Sequence, residues 1–90
     1  MSRIRAKAVC LFRHHNKILL AEGFDPATHE TFLTTMGGSI EFGARSIDAA
    51  AREVLEELDE AVQGLTLLGV LENIFTFDGK AGHAMVYVYE

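Results

Sequence analysis

The sequence has 90 residues, of which 49% are hydrophobic, and a formal net charge of -5. This size and composition fit one folded domain, and the acidic balance argues against general nucleic-acid binding, which needs a basic surface. No apolar run is long enough to span a membrane, and the short apolar run after the basic N-terminus does not predict a signal peptide. The single cysteine, Cys10, cannot form an internal disulfide and is interpreted as a core residue, so we expect a cytoplasmic protein.

Strand patterns dominate the first part of the chain. Residues 4–12 alternate between apolar and polar and then become apolar at successive positions, which predicts a strand that is buried on both faces. A polar turn separates this strand from a second one at residues 17–24, and we interpret the two as a hairpin. Residues 25–30 contain the only proline and predict a loop. A short strand at residues 31–35 then leads into a pair of glycines.

The following segment predicts one helix with two different faces. Ser46 is the predicted N-cap, and Asp48 lies in the first turn, near the positive end of the helix dipole. An apolar stripe at helical spacing comprises Ile47, Ala50, Ala51, Val54, Leu55 and Leu58. Acids at i, i+3, i+4 and i+7 form a second face, namely Glu53, Glu56, Glu57 and Glu60. The helix therefore buries one face and presents carboxylates on another.

Two more strands follow the helix. Gly64 marks the exit loop, and the apolar segments 65–77 and 83–90 are both strand-like. Asp78-Gly79 between them is a type I′ turn signal and predicts a hairpin. Strands, then a helix, then strands again indicate an α+β domain in which the helix packs on a mixed sheet.

The stacked acids have two interpretations. Like charges at i,i+4 destabilise a helix by about 0.2–0.5 kcal/mol per pair, and no lysine is interleaved to relieve them. Carboxylate oxygens suit a hard cation such as Mg²⁺, and nearby glycines let the backbone approach a metal or a phosphate. The alternative is a solvated acidic face, which is the usual meaning of charges on a helix. Spacing alone does not decide between them.

Six residues from the double glycine through the helix stand at characteristic offsets. They are Gly38, Arg52, Glu53, Val54, Glu56 and Glu57. This arrangement resembles the signature of the Nudix hydrolases, which is glycine, five residues, glutamate, seven residues, then Arg-Glu-aliphatic-any-Glu-Glu-any-Gly-aliphatic. The strand patterns on either side also agree with the family, so the resemblance covers most of the chain.

Four positions depart from the family pattern. Ala44 stands where the family has glutamate, Asp59 where it has glycine, Glu60 where it has an aliphatic residue, and Met36 where proline is common. We expect the change at Asp59 to be tolerated, with the helix running on towards Glu60. The change at Ala44 matters more, because loss of that acid would weaken metal binding or hold Arg52 less firmly.

The resemblance implies an α/β/α sandwich on a mixed β-sheet, with a second helix near the C-terminus. No segment of the sequence predicts that second helix, so we expect residues 1–90 to be a single Nudix domain that is incomplete at its C-terminal end. The last strand is apolar on both faces, and one helix can cover only one of them. We therefore expect the other face to be covered by further chain or by a second copy in a homodimer.

The resemblance also implies the activity. It is the Mg²⁺- or Mn²⁺-dependent hydrolysis of the phosphoanhydride bond in a nucleoside diphosphate linked to another moiety. Clustered carboxylates suit this reaction, because bound metal neutralises phosphate oxygens and lowers the pKa of bound water. Glu56 and Glu57 are the implied metal ligands, Glu53 is a third ligand or orients the water, and Gly38 adds a backbone carbonyl. Arg52 is implied to orient the glutamates by charge-assisted hydrogen bonds.

Substrate contacts are predicted less directly. Arg45, next to the signature, and His83, near the start of the last strand, are candidates, although a solvated arginine and a structural histidine are the alternatives. Phe75 and Phe77 could stack on a base, but aromatic residues in strands are more often core. The expected partner is a small nucleotide, with no nucleic acid and no membrane. The alternative function, prompted by Ala44, is a non-catalytic nucleotide-binding or regulatory module.

Overall fold

The computed structural model describes residues 3–14, 17–18 and 20–90. Within these residues the chain forms eight strands and one helix. The strands are β1 (Arg5–Cys10), β2 (Arg13–His14), β3 (Lys17–Ile18), β4 (Ala21–Asp25), β5 (Glu30–Thr34), β6 (Met36–Ser39), β7 (Leu67–Phe77) and β8 (Lys80–Tyr89). Helix α1 (Ser46–Leu58) lies between β6 and β7 along the chain.

Four strands form the main sheet, in the order β6-β1-β8-β7. Strand β1 runs parallel to β8 and antiparallel to β6, and β7 and β8 form an antiparallel hairpin. The sheet is therefore mixed, and the predicted α+β class is confirmed. Asp78 and Gly79 have φ values of 52° and 72°, which agrees with the predicted type I′ turn between β7 and β8.

The pairing of β1 differs from the predicted hairpin between residues 4–12 and 17–24. In the described part of the chain, the local pairing is limited to β2 with β3, and β4 pairs with β5. Both edges of β1 are taken, one by β6 and one by β8. The chain does pair antiparallel on either side of the predicted turn, β2 with β3, but the prediction that β1 belongs to this hairpin is wrong. The physical reason is that a strand with two apolar faces gains most from a central position in a sheet, and β6 and β8 take both edges of β1.

The N-terminal end of α1 is one residue earlier than predicted. Arg45, with φ and ψ of -82° and 150°, is the N-cap, and its carbonyl accepts the first helical hydrogen bond from the Ala49 N–H at 3.0 Å. Ser46, the predicted N-cap, is instead the first helical residue. Its hydroxyl shares a hydrogen bond of 2.5 Å with the Tyr89 hydroxyl on β8. The serine therefore ties the start of the helix to the sheet and leaves the helix N–H groups uncapped by a side chain.

The C-terminal end of α1 stops short of the predicted one. Asp59 takes the left-handed conformation, with φ 54° and ψ 35°, and its N–H donates to the Leu55 carbonyl at 2.9 Å. Aspartate visits this conformation more readily than most residues, so Asp59 ends the helix where the family has glycine. The expected extension towards Glu60 is therefore wrong. The helix face carries three stacked acids, not four.

The helix packs on the sheet through its smallest side chains. The buried cluster between the two comprises Ala8, Ala49, Ala50 and Tyr89. Val54 is fully buried, but Ile47 and Leu55 are 38% and 50% exposed, so the predicted apolar stripe is only partly buried. Alanine at the contact lets helix and strands approach closely, and the larger residues at the edges of the stripe stay in solvent. Cys10 is buried as predicted, and burial raises the pKa of its thiol.

Part of the sheet face away from α1 is apolar. Side chains alternate along a strand, so Val9, Val86 and Val88 point away from the buried cluster. Together with Leu11 and Leu71 they line a depression of about 330 Å³. The expectation that a second copy covers this face stays a prediction. The described residues contain no helix that is both long enough and apolar enough to cross a membrane.

A buried carboxylate joins the β4–β5 hairpin to the main sheet. Asp25, at the end of β4, is 7% exposed, and its Oδ1 accepts hydrogen bonds from the N–H groups of Ala27 at 2.9 Å and Asp78 at 3.0 Å. Asp78 belongs to the β7–β8 turn, so one oxygen connects the two hairpins. Phe32 and Phe77 add a T-shaped contact with ring centroids 6.1 Å apart.

Asp25→Ala should lower the free energy of unfolding by about 1–3 kcal/mol, because two backbone N–H groups lose their acceptor. Urea unfolding followed by circular dichroism measures the change. Asp25→Asn keeps an oxygen acceptor and should lose less. Glu30→Ala, which removes an exposed acid of the same hairpin, is the control. If Asp25→Ala proved as stable as this control, the connection would carry no stability.

Candidate functional site

The guanidinium group of Arg52 contacts both the loop before α1 and the acidic face of the helix. Arg52 Nη2 donates to the Ser39 carbonyl at 3.2 Å and lies 3.4 Å from Glu53 Oε1. On the other side, Arg52 Nη1 lies 3.2 Å from Glu41 Oε1. Arg52 Nε is 3.9 Å from Glu56 Oε1, one helical turn away. The arginine therefore contacts the end of β6, the loop after it and two acids of α1.

Glu53 lies directly over Gly38. A Cβ atom added at Gly38 would overlap the Glu53 carboxylate, with Cδ of Glu53 only 2.5 Å away. The Glu53 side chain is 16% exposed and is held between this glycine and Arg52. Gly38 itself pairs with Ala8 in the main sheet, which fixes its position. Glycine is needed here because the space of the missing side chain is the space that Glu53 occupies.

The other two acids project into solvent. The Glu56 side chain is 59% exposed, and Glu57 is exposed as well. Among the described residues, no three side chains of His, Cys, Asp or Glu converge on a point where they could hold a metal ion. The predicted ligands Glu53, Glu56 and Glu57 therefore share one helix but are not gathered into a ligand set.

The donor types nevertheless fit a hard divalent cation. Three carboxylates and the Gly38 carbonyl are oxygen donors of the kind that Mg²⁺ and Mn²⁺ take. Arg52 Nε is buried and has no hydrogen-bond partner in the described part of the chain, and the nearest Glu56 oxygen stops at 3.9 Å. Glu56 and Glu57 are long, exposed side chains, so they can turn towards Glu53 by rotamer changes alone. The metal site stays a prediction that the donor chemistry supports.

The two predicted substrate residues lie outside the contacts of Arg52. Arg45 is exposed, and its backbone forms the N-cap of α1. His83 lies on β8 opposite Ile74, and its Nε2 is buried without a hydrogen-bond partner among the described residues. His83 also lines a cavity of about 550 Å³. Both roles stay predictions.

That cavity is rich in basic and aromatic side chains, and we refer to it as the basic groove. Its lining includes Arg3, Arg5, Lys7, Phe75, Lys80 and His83. The groove holds four of the eight Lys and Arg residues of a chain whose net charge is -5. Lys7 Nζ lies 6.0 Å from the centre of the Phe75 ring, which is a cation–π distance. A second cavity, of about 400 Å³, shares Arg3 and Arg5 with the groove and reaches Ser39, whose carbonyl binds Arg52.

Sequence reasoning missed Glu41 and the basic groove. Glu41 lies inside the five variable residues of the signature, where no acid is required. The sequence feature that could have identified it is its position in the glycine-containing loop just before α1, the helix that carries Arg52. The groove had a clearer one, because Arg3, Arg5 and Lys7 recur at every second position and therefore share one face of a strand.

Comparison with known proteins decides the family. A family model of the NUDIX domain matches residues 1–90, the whole sequence. This chain belongs to the NUDIX family. The resemblance carried by the six signature residues is thereby confirmed.

Solved NUDIX structures share its fold. A MutT NUDIX hydrolase from Burkholderia pseudomallei is 26% identical, with a TM-score of 0.70 over 99% of this chain and 70% of that one. A NUDIX hydrolase from Nitrosomonas europaea is 23% identical, with a TM-score of 0.71 over 97% of this chain and 58% of that one. An Ap4A hydrolase from C. elegans is 22% identical, with a TM-score of 0.58 over 99% of this chain and 67% of that one. The chain thus spans between 58% and 70% of the lengths of these three proteins.

Proposed function

We propose that this NUDIX chain is a Mg²⁺- or Mn²⁺-dependent hydrolase that cleaves the phosphoanhydride bond of a nucleoside diphosphate linked to another moiety. The observation that carries the proposal is the contact of Arg52 with Glu41, Glu53 and Glu56 beside Gly38. A similar MutT NUDIX hydrolase and a similar Ap4A hydrolase agree with hydrolysis of a nucleotide. A cytoplasmic location stays a prediction.

The acids of α1 have distinct tasks in this proposal. Glu56, Glu57 and the Gly38 carbonyl would hold the divalent ion, which supplies charge neutralisation of the phosphates and a lowered pKa for water when it is bound. Arg52 Nη2 engages one Glu53 oxygen, Oε1, and no hydrogen bond of the described residues engages the other. That second oxygen is available to orient the attacking water or to accept its proton. Arg52 fixes the direction of the Glu53 carboxylate and does not itself need to touch substrate.

The basic groove suits the anionic, aromatic character of a nucleotide. Its cations attract phosphates, and the Phe75 ring offers a stacking surface for a base next to the Lys7 ammonium group. The neighbouring cavity connects Arg5 of the groove with Ser39, which binds Arg52. Arg5 and Lys7 share the face of β1 that carries Val9, away from α1, so we place the nucleotide around the end of the sheet, from the groove past Ser39 to the acids of α1.

Lys7→Gln should raise KM for a nucleotide substrate by about tenfold, because a charged hydrogen-bond donor to phosphate is lost. The value of kcat should change little, since Lys7 lies outside the carboxylate contacts. Steady-state kinetics at fixed ionic strength measures both constants. Lys17→Gln removes the same charge at an exposed position outside the groove and is the control. Equal KM values for the two variants would contradict the placement of the nucleotide.

The proposed function is tested by a hydrolysis panel. Purified protein is incubated with nucleoside diphosphate sugars, dinucleoside polyphosphates and nucleoside triphosphates, with Mg²⁺, with Mn²⁺ or with a chelator. Metal-dependent release of a nucleoside monophosphate from at least one substrate is the expected result. No turnover on any of them would overturn the proposal.

A non-catalytic nucleotide-binding module is the second candidate. It is favoured by Ala44, which replaces the signature glutamate, and by the absence of a converged ligand set among the described residues. The same panel separates the two functions when it is combined with calorimetry. Micromolar nucleotide binding without turnover supports the module, and turnover excludes it.

A further inference from the structure

The loop before α1 presents an aromatic side chain to solvent beside the candidate site. Phe42 is fully exposed, more than any other large hydrophobic side chain of the described residues. We propose that Phe42 is a second stacking surface, in addition to Phe75, and that the moiety linked to the nucleotide is a second nucleoside. The substrate class is then a dinucleoside polyphosphate. The inference rests on the proposed function, because it names the substrate of the same site.

A hydrogen-bonded turn holds Phe42 in this position. The Ala44 N–H donates to the Glu41 carbonyl at 2.9 Å, and Gly43 has the positive φ, 87°, that the third residue of a type II turn requires. Phe42 is the second residue of this turn, so its side chain projects from the tip. Glu41 Oε1 lies 3.2 Å from Arg52 Nη1, so the turn is also tied to α1. The ring is therefore presented from an ordered backbone, which lowers the entropy cost of stacking a ligand on it.

Two arginines connect the Phe42 ring with the basic groove. Phe42 lines the cavity of about 400 Å³ together with Arg3 and Arg5. The same two arginines line the basic groove, which contains Phe75. Two aromatic rings are thus joined by positive charge in a chain whose net charge is -5. Every base offers a π face to an aromatic ring, and the phosphates between two nucleosides suit the guanidinium groups.

The spacing of the cations fits a chain of several phosphates. Arg3, Arg5 and Lys7 recur at every second position, so their charges are spread over roughly 13 Å of extended chain. A single phosphoanhydride link is much shorter than this row. At the far end of the row, a flat base covers the Phe42 ring face to face, which a sugar or a free terminal phosphate cannot do. The row and its two rings therefore favour a polyphosphate with a base at each end.

The test is a binding cycle that removes the Phe42 ring from the protein and the second base from the ligand. Calorimetry with a chelator present measures Kd for diadenosine tetraphosphate and for adenosine tetraphosphate, which has the same number of phosphates but one base. Phe42→Leu should weaken binding of diadenosine tetraphosphate about tenfold, because the stacking of one base is lost. It should change the Kd of adenosine tetraphosphate little. Comparing both ligands in both proteins cancels their difference in charge.

Two further variants complete the cycle. Phe42→Tyr keeps an aromatic ring and should bind both ligands like the wild type. Phe75→Leu should weaken both ligands, because the base in the groove is common to them. The exposed position of Phe42 means that Phe42→Leu should leave Tm unchanged. With Mn²⁺ present, the same variant should raise KM for diadenosine tetraphosphate about tenfold and change kcat little.

Two outcomes overturn the inference. If Phe42→Leu weakened both ligands by the same factor, the ring would contact the part of the ligand that they share and not a second base. If it weakened neither ligand, the ring would serve a contact with another macromolecule. A Phe42→Tyr protein that binds like Phe42→Leu would contradict stacking as well.

These results stay distinguishable from failure of the proposed function, because the calorimetry needs no turnover. A wild-type protein that binds diadenosine tetraphosphate but hydrolyses no nucleotide overturns the function, and the binding cycle still decides the role of Phe42. An active wild type with an unaffected Phe42→Leu variant overturns this inference alone. A wild type that neither binds nor hydrolyses overturns both.

Discussion

Glu56→Gln combined with Glu57→Gln is expected to lower kcat by at least about 10²–10³-fold, the loss that follows removal of a major electrostatic stabiliser of a transition state. The same variant should lose its stabilisation by Mn²⁺. A metal that binds only the folded state adds about 2.7 kcal/mol at 100 times its Kd, which for a domain of this size corresponds to roughly 14 °C in Tm. Both effects follow from the two exposed carboxylates being the proposed metal ligands.

Without metal, the double variant should keep the stability of the wild type. Glu53 and Glu57 repel each other across one helical turn, at about 0.2–0.5 kcal/mol for such a pair. Neutralising Glu57 relieves that repulsion, and neutralising Glu56 removes an exposed contact with Arg52 of similar size, so the two changes offset each other. A variant that loses activity and keeps its apo stability cannot have lost activity by unfolding.

Differential scanning fluorimetry across a Mn²⁺ titration, with a chelator as the metal-free reference, measures these shifts beside the kinetics. Glu22→Gln together with Glu30→Gln removes two exposed acids elsewhere and controls for the change in net charge. If the α1 double variant and this control gave the same Mn²⁺ shift, the acidic face would be a solvated surface. The proposed metal ligands would then be wrong.

The helix and the signature could be predicted because their information is local. Glutamates at i, i+3 and i+4 share a helix face whatever surrounds them, and Gly38 stands at a fixed offset from Arg52. The strand partners of β1 could not be predicted in the same way. Strand β8 lies more than 70 residues further along the chain than β1, and no short window of sequence records that pairing.

The ends and the packing of α1 show a second limit. The sequence predicted Ser46 as N-cap from its residue type, but the Ser46 hydroxyl hydrogen-bonds instead to the Tyr89 hydroxyl on strand β8. Similarly, the apolar stripe predicted that Leu55 would be buried, although alanines make the contact with the sheet. Residue type gives a local preference, and the tertiary partner decides which preference is satisfied.

The sequence identified residues of the candidate site but not the contacts between them. Spacing identified the acids of α1, and the resemblance implied that Arg52 orients them. The structure adds that one guanidinium reaches Glu41 as well, through a turn whose geometry depends on Gly43. It also shows that Glu56 and Glu57 project into solvent, so the placement of the ligands depends on side-chain rotation.

Gly38→Ala is expected to lower kcat by about 10–100-fold with little loss of stability. The new methyl group would occupy the space of the Glu53 carboxylate, which would have to swing away from Arg52. Displacing a residue next to the metal ligands typically costs this much in metal affinity or activity. The fold should tolerate the change, because the atoms in the way are the end of a flexible side chain and Gly38 is not among the described glycines with positive φ.

Gly37→Ala is the matched control, since the same methyl group one residue earlier meets the backbone. There the added Cβ would overlap the Ala8 carbonyl and lie 2.7 Å from Val9 Cα, both in the adjacent strand β1. Neither atom can rotate away, so β1 and β6 must separate, at a cost of about 1–3 kcal/mol. The two substitutions should therefore have different effects. Gly37→Ala should lower the urea midpoint of unfolding, and Gly38→Ala should lower kcat and Mn²⁺ affinity. A Gly38→Ala protein with wild-type kcat would show that the position of Glu53 over this glycine has no part in the reaction.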